Sequence, residues 1–197
     1  LPIFLHKMLS RLNICSKEYF VRRYDHEVQG GTSVKPLTGR GNGPSDACVI
    51  KPLGTRGNTG IVLSNGFNPE YGRYDPYRMA LCVVDEAVRN AAAVGVDPDR
   101  LAILDNFCWG DPLQPENMGA LLEAARGCYE AALANHTPFI SGKDSFNNEY
   151  VSKDGKRQSI PPSLLISAIG IIPNVNQAIT LDFKQPENPV FLLGDFQ

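Results

Sequence analysis

Residues 76–94 carry the pattern that most restricts what this chain can fold into. Apolar side chains recur at Ala80, Val83, Val84, Ala87, Val88, Ala91 and Val94, which is one face of an α-helix. Asp75 stands where a cap is needed, Pro76 suits the first turn, and Gly95 ends the run. A helix with one long apolar stripe is stable only against a second layer, so the rest of the chain has to supply one. Short apolar runs do so. Residues 101–104 read as a buried strand ending at Asp105, residues 163–172 as the longest strand, and residues 48–53 and 60–64 as a hairpin.

A second helix is expected over about residues 116–135, with Leu121, Leu122, Ala125, Cys128, Tyr129, Ala132 and Leu133 on its apolar side. It leads into a short strand at 138–140, which runs into the polar turn Ser141-Gly142-Lys143-Asp144-Ser145. Asp154-Gly155 marks an exposed turn. Strands and helices alternate in an α/β manner. Residues 1–13 read as a connecting helix, 14–173 as the α/β domain, and 174–197 as the start of a truncated further domain opened by a strand at 190–193. Both ends look cut from something longer.

The 19 basic and 21 acidic residues nearly cancel, so there is no broad basic surface for neutralising a nucleic-acid backbone. One or two local cations still suffice for a small anion. Five cysteines lie far apart with no C-x-x-C pair, which points to free thiols in a reducing cytosol. No apolar run is long enough to span a membrane, and no leader pattern opens the chain, so a cytoplasmic protein is expected.

Two polar clusters follow predicted buried strands, the place where open α/β sheets hold ligands. In the first, Asp105 to Pro112, either Asp105 or Asp111 offers the hard oxygen that magnesium takes; alternatively Asp105 satisfies loop amides and Asp111 caps the next helix. In the second, Ser141 to Ser145, two hydroxyls, an ammonium and a permissive glycine match a phosphate, with Lys143 on its oxygens, Gly142 giving close backbone approach, and Asp144 holding a metal or orienting Lys143. The same five residues also make a plain polar turn. Asp46, just before a strand, either reaches a metal or accepts local amides. The glycine-rich loop 38–45 reads as a flexible linker, Asp25-His26-Glu27 as a structural group, and Trp109 beside Phe107 as packing.

Several blocks taken in order resemble the phosphoribosylformylglycinamidine synthase family, subunit II, a branch of the aminoimidazole ribonucleotide synthetase-related superfamily. They are Tyr24-Asp25-His26-Glu27-Val28-Gln29-Gly30-Gly31, Ser45-Asp46-Ala47-Cys48-Val49, the 105–112 cluster, and Pro138 to Glu149. The resemblance implies the first domain of the second half of the large synthetase chain. The fold it implies is a mixed, mainly antiparallel sheet with helices on one face, able to pair sheet to sheet into a barrel with another such domain or with a copy of itself.

By resemblance the parent enzyme converts formylglycinamide ribonucleotide, ATP and glutamine-derived ammonia into formylglycinamidine ribonucleotide, ADP and phosphate, using Mg2+ and working with a glutaminase subunit and a small accessory subunit. Asp105 and Gly142 fall at ATP-contact positions and Ser145 at a substrate-contact position. Asp46, Asp111 and Asp144 are the metal candidates. Two departures stand out. Lys143 replaces a frequent metal-binding asparagine, so direct phosphate pairing takes the place of ligation, and Arg89 is followed by Asn90 where the first half of the family has an acid. The family's catalytic histidine lies in the other half, so His26 does not inherit its role, and the fragment alone is expected to be inactive. The alternative implied role is a noncatalytic barrel partner that holds a structural nucleotide or nothing.

Overall fold

Two long helices and one sheet hold the core in the computed structural model, which describes residues 1–24, 26–41 and 43–194. In chain order the helices are α1 (Pro2–Leu9), α2 (Glu18–Val21), α3 (Pro69–Gly72), α4 (Pro76–Ala93) and α5 (Pro115–Ala134). The strands are β1 (Thr32–Val34), β2 (Leu37–Thr38), β3 (Gly43–Pro44), β4 (Cys48–Ile50), β5 (Gly60–Phe67), β6 (Leu101–Cys108), β7 (Phe139–Ser145), β8 (Glu149–Val151), β9 (Arg157–Ser159) and β10 (Ser163–Ile172). Six of them form a sheet in the order β1-β4-β5-β10-β6-β7. Every neighbouring pair is antiparallel except β6 and β7, which are parallel. Parallel neighbours need a crossover, and α5 is that crossover. β2 with β3, and β8 with β9, make two separate ladders.

The mixed, mainly antiparallel sheet with helices on one face is therefore present. Asp75 caps α4 as its position predicts, accepting the Arg78 amide at 2.9 Å. The α4 stripe of Val83, Val84, Ala87, Val88 and Ala91 is buried against alternate residues of β5 and β10, including Val62, Ile166 and Ala168. The opposite face of the same strands carries Ile61, Leu63, Asn65, Phe67 and Ile171 and is left uncovered, with Phe67 half exposed. Strand alternation thus sorts one sheet into a helix-covered face and an open face. Val175 joins the core patch near β4, and the Ile179 amide donates to Val94 O at 3.1 Å, so the chain beyond residue 173 first packs back on this domain.

Three expectations need correcting. Helix α5 buries Ala124, Gly127, Cys128 and Ala131, whereas Leu122, Tyr129 and Leu133 are exposed. The reason is close helix–helix approach. Tyr77 donates to Glu130 Oε2 at 2.5 Å, Arg126 lies over the Tyr77 ring at 4.5 Å, and a methyl group added at Gly127 would stand 2.5 Å from Tyr77 O. Only small side chains fit that seam. Second, residues 105–108 and 141–145 are not turns after short strands; both belong to the strands, because each supplies the other's ladder partners. Third, residues 190–193 form no strand and are exposed, having no neighbour to complete a ladder. Asp25 of the Asp25-His26-Glu27 group, Asn42 of the glycine-rich loop and residues 195–197 lie outside the described residues.

Gly127→Ala tests the α4–α5 seam. Helix propensity alone favours alanine by about 1 kcal/mol, and a backbone clash of this kind costs roughly 1–3 kcal/mol. The variant is expected to lower the urea unfolding free energy by up to about 2 kcal/mol; a gain would show that the helices are not so close.

Candidate functional site

The β6–β7 ladder brings the two polar clusters side by side. Asp105 pairs with Gly142, Asn106 with Lys143, Phe107 with Asp144, and Cys108 with Ser145. Paired residues in a parallel ladder share a face, so alternation divides the cluster in two. Asp105, Gly142 and Asp144 share the helix side with the buried Phe107. Lys143 and Ser145 share the open face with Asn106 and Cys108. The predicted residues are neighbours, but the carboxylates and the ammonium look in opposite directions.

Gly142 is fitted to Asp105. A side chain added there would land on the Asp105 carboxylate, with its Cβ 2.2 Å from Oδ1. The close approach expected between this glycine and a ligand is thus first an approach between two strands. Burial pushes the Asp105 pKa up, a hydrogen bond to its own backbone opposes this, and the charge of Asp144 pushes it up again. Beneath it on α5, the Cys128 thiol is pushed up to about 12, by burial first and by Asp105 second. A carboxyl in such a setting gives up its proton reluctantly and accepts a hydrogen bond or a cation readily.

On the open face the Lys143 Nζ donates to Asn106 Oδ1 at 3.4 Å. Two strands away, Asn65 Nδ2 donates to Ser167 Oγ at 2.9 Å. The strand ends are tied by Asn148, whose Nδ2 donates to Ser145 O at 2.7 Å and to Trp109 O at 3.1 Å. Ser145 Oγ is within 3.0 Å of the same amide nitrogen. Trp109 is fully buried, tilted against Phe107 at 5.7 Å, and donates through its indole to Asn117 O, so its role is packing.

The three metal candidates are not gathered. Asp111 Oδ1 accepts the Leu113 amide at 2.9 Å and Oδ2 the Gln114 side chain at 3.2 Å; those bonds hold its pKa down and cap the turn into α5. Asp46 precedes β4, which β5 and β10 separate from β6, about 14 Å across the sheet. Asp144 is on β7. Among the described residues no group of three or more His, Cys, Asp or Glu stands close enough to hold a metal ion. Asp46, Asp111 and Asp144 therefore do not form one metal site.

Three further side chains reach this end of the sheet, of which sequence reading singled out Asn90 alone. Asn106 meets Lys143, Glu86 Oε2 accepts the Phe67 amide at 2.9 Å, and Asn90 Nδ2 donates to Asn65 O at 2.9 Å. The i, i+4 spacing of Glu86 and Asn90 beside the apolar stripe was the available signal. Glu27 pairs with Lys35 at 2.8 Å and His26 lies 3.9 Å from Glu27, on the opposite margin of the domain from β7.

A fold of this kind, with its polar residues on an open sheet edge, defines a class. Residues 44–172 match the family described as AIR synthase related protein, N-terminal domain, and the chain belongs to that family. It is 38% identical over 195 residues to phosphoribosylformylglycinamidine synthase subunit PurL of Methanothrix thermoacetophila, a match that covers 95% of this chain and 24% of the relative. The chain thus spans about a quarter of the length of the curated relatives it matches. Among solved structures it is similar to PurLQS of Thermotoga maritima (TM-score 0.66, 26% identity, 83% of this chain and 25% of that one). It is similar too to T. maritima PurL complexed with ATP (TM-score 0.60, 25% identity, 75% and 22%) and complexed with FGAR (TM-score 0.62, 25% identity, 83% and 24%).

The raised pKa of Asp105 has a testable sign. Its folded value lies above its ordinary 3.8, so the native chain keeps a proton that the unfolded chain has lost, and stability falls as pH rises through that window. Asp105→Asn is expected to raise the urea midpoint at pH 7, with the gain vanishing below the ordinary carboxylate range. A loss of stability at pH 7 would show that the ionised carboxylate is held by a partner instead.

Proposed function

We propose that this chain is one wall of the ATP and substrate site of a phosphoribosylformylglycinamidine synthase, the ligase that converts formylglycinamide ribonucleotide, ATP and glutamine-derived ammonia into formylglycinamidine ribonucleotide, ADP and phosphate. The observation that carries this reading is the β6–β7 ladder, which sets Asp105, Gly142, Lys143 and Ser145 side by side at one sheet edge. The names of the relatives, and the ATP and FGAR complexes of the T. maritima protein, support the reaction and its two ligands. In this account Asp105 and Gly142 border the nucleotide, Lys143 pairs with phosphate oxygens, and Ser145 contacts the substrate. The reaction needs negative charge neutralised around the transferred phosphoryl group. Lys143 supplies one cation. Magnesium belongs to the parent reaction, but Asp46, Asp111 and Asp144 do not assemble a site for it, and none of these roles passes through a metal.

The open face of the sheet, with Ile61, Leu63 and Ile171 uncovered, supports pairing with a second such domain into a barrel, either from the rest of the protein or from a second copy. Residues 1–13 then act as the connector and the segment after 173 leads into the following domain. A glutaminase and a small accessory subunit complete the assembly, in keeping with the PurLQS structure of T. maritima. A cytoplasmic location fits five free thiols.

A second reading has its own support. The separation of Asp46, Asp111 and Asp144 and the packing of Asp105 over Gly142 suit a noncatalytic partner that completes the barrel around a structural nucleotide or none. Turnover separates the two. In the intact enzyme, Asp105→Ala and Ser145→Ala are each expected to lower kcat/KM by roughly a hundredfold. Unchanged turnover with a lowered Tm would assign this domain to the noncatalytic role.

A further inference from the structure

We infer that Lys143, on the open face of the sheet, binds a phosphate group without a divalent cation. The inference rests on the reading of the β6–β7 edge as a ligand wall, and it specifies how that wall works.

Three observations carry it. First, strand parity separates Lys143 from the acids: Asp105 and Asp144 share the helix side with Phe107, whereas Lys143 is on the other side of the strand. Among the described residues Lys143 has no carboxylate within 4.0 Å, and the hydrogen bond it makes goes to the neutral Asn106 Oδ1 at 3.4 Å. An ammonium has three protons, so two remain for an anion.

Second, the open-face positions of β5, β10, β6 and β7 hold no Asp or Glu. Their polar members are Asn65, Ser167, Asn106, Ser141, Lys143 and Ser145. This row has amides, hydroxyls and one positive charge. It suits an oxyanion, while a divalent cation there would meet a like charge and no carboxylate.

Third, the row borders the apolar part of the same face, Ile61, Leu63, Ile169 and Ile171. Covering those side chains removes water from their surroundings, and an ammonium with no counter-ion becomes costly as its surroundings dry. A phosphate at Lys143 removes that cost. Polyphosphate and phosphoribosyl groups share this chemistry.

The test uses this 197-residue chain with two probes, ATP and ribose 5-phosphate, titrated by calorimetry and by backbone-amide NMR, each in excess EDTA and in excess magnesium chloride. At least one probe is expected to bind in EDTA within about threefold of its affinity in magnesium, shifting the amides of residues 141–145. Lys143→Met is expected to weaken that binding by about tenfold or more, and Lys143→Arg to retain most of it. Binding by ATP alone identifies a polyphosphate, and by ribose 5-phosphate alone a phosphoribosyl group; either supports the inference. Binding that requires magnesium, or that Lys143→Met leaves unchanged, overturns the inference and leaves the wall itself in place. No binding of either probe in either condition overturns the inference, while the wall itself is tested separately by turnover of the intact enzyme.

Discussion

The parallel pairing of β6 with β7 is the constraint on which the other features of the site depend. One register sets Asp105 against Gly142, Asn106 against Lys143 and Cys108 against Ser145. The pairing is possible because α5 carries the chain back over the sheet, and α5 can lie there because its seam with α4 is lined by small residues. The site is therefore coupled to the core through one helix. A disturbance at Gly127 or Cys128 reaches Asp105 through packing, with no need for a ligand.

Alternation along the two strands gives this edge of the sheet two chemistries. The helix side is acidic, partly desolvated and fitted closely, as the contact between Gly142 and the Asp105 carboxylate requires. The open side is an ammonium with amides and hydroxyls, lying above an uncovered apolar surface. Such a face is incomplete as it stands. A partner sheet laid over it would leave the polar row at the margin, where a ligand can reach both layers. That arrangement agrees with a domain spanning only a quarter of its relatives' length.

Much of this was legible in the residues. The α4 stripe, its Asp75 cap, the β4–β5 hairpin, the long β10 and the turn at Asp154-Gly155 follow from periodicity and local backbone chemistry. The strand character of residues 141–145 was not legible, because Ser, Gly, Lys and Asp have weak strand preference and are held by the β6 ladder at a sheet edge. The buried side of α5 was misjudged for a related reason: Leu122 and Tyr129 are more apolar than Gly127 and Ala131, yet the approach of Tyr77 admits only the smaller ones. For the candidate site, sequence offered Asp105, Gly142, Lys143 and Ser145 but not their division between faces. That division depends on register, which neither segment contains by itself.

The most direct measurement is the register of that ladder in solution. Long-range NOEs between backbone protons are expected to connect Asp105 with Gly142 and Phe107 with Asp144, with side-chain contacts from Lys143 to Asn106 and none from Lys143 to α5. A β7 strand displaced by one residue on β6 would turn Lys143 toward Cys128 and Asp144 toward the open face, and would contradict the account.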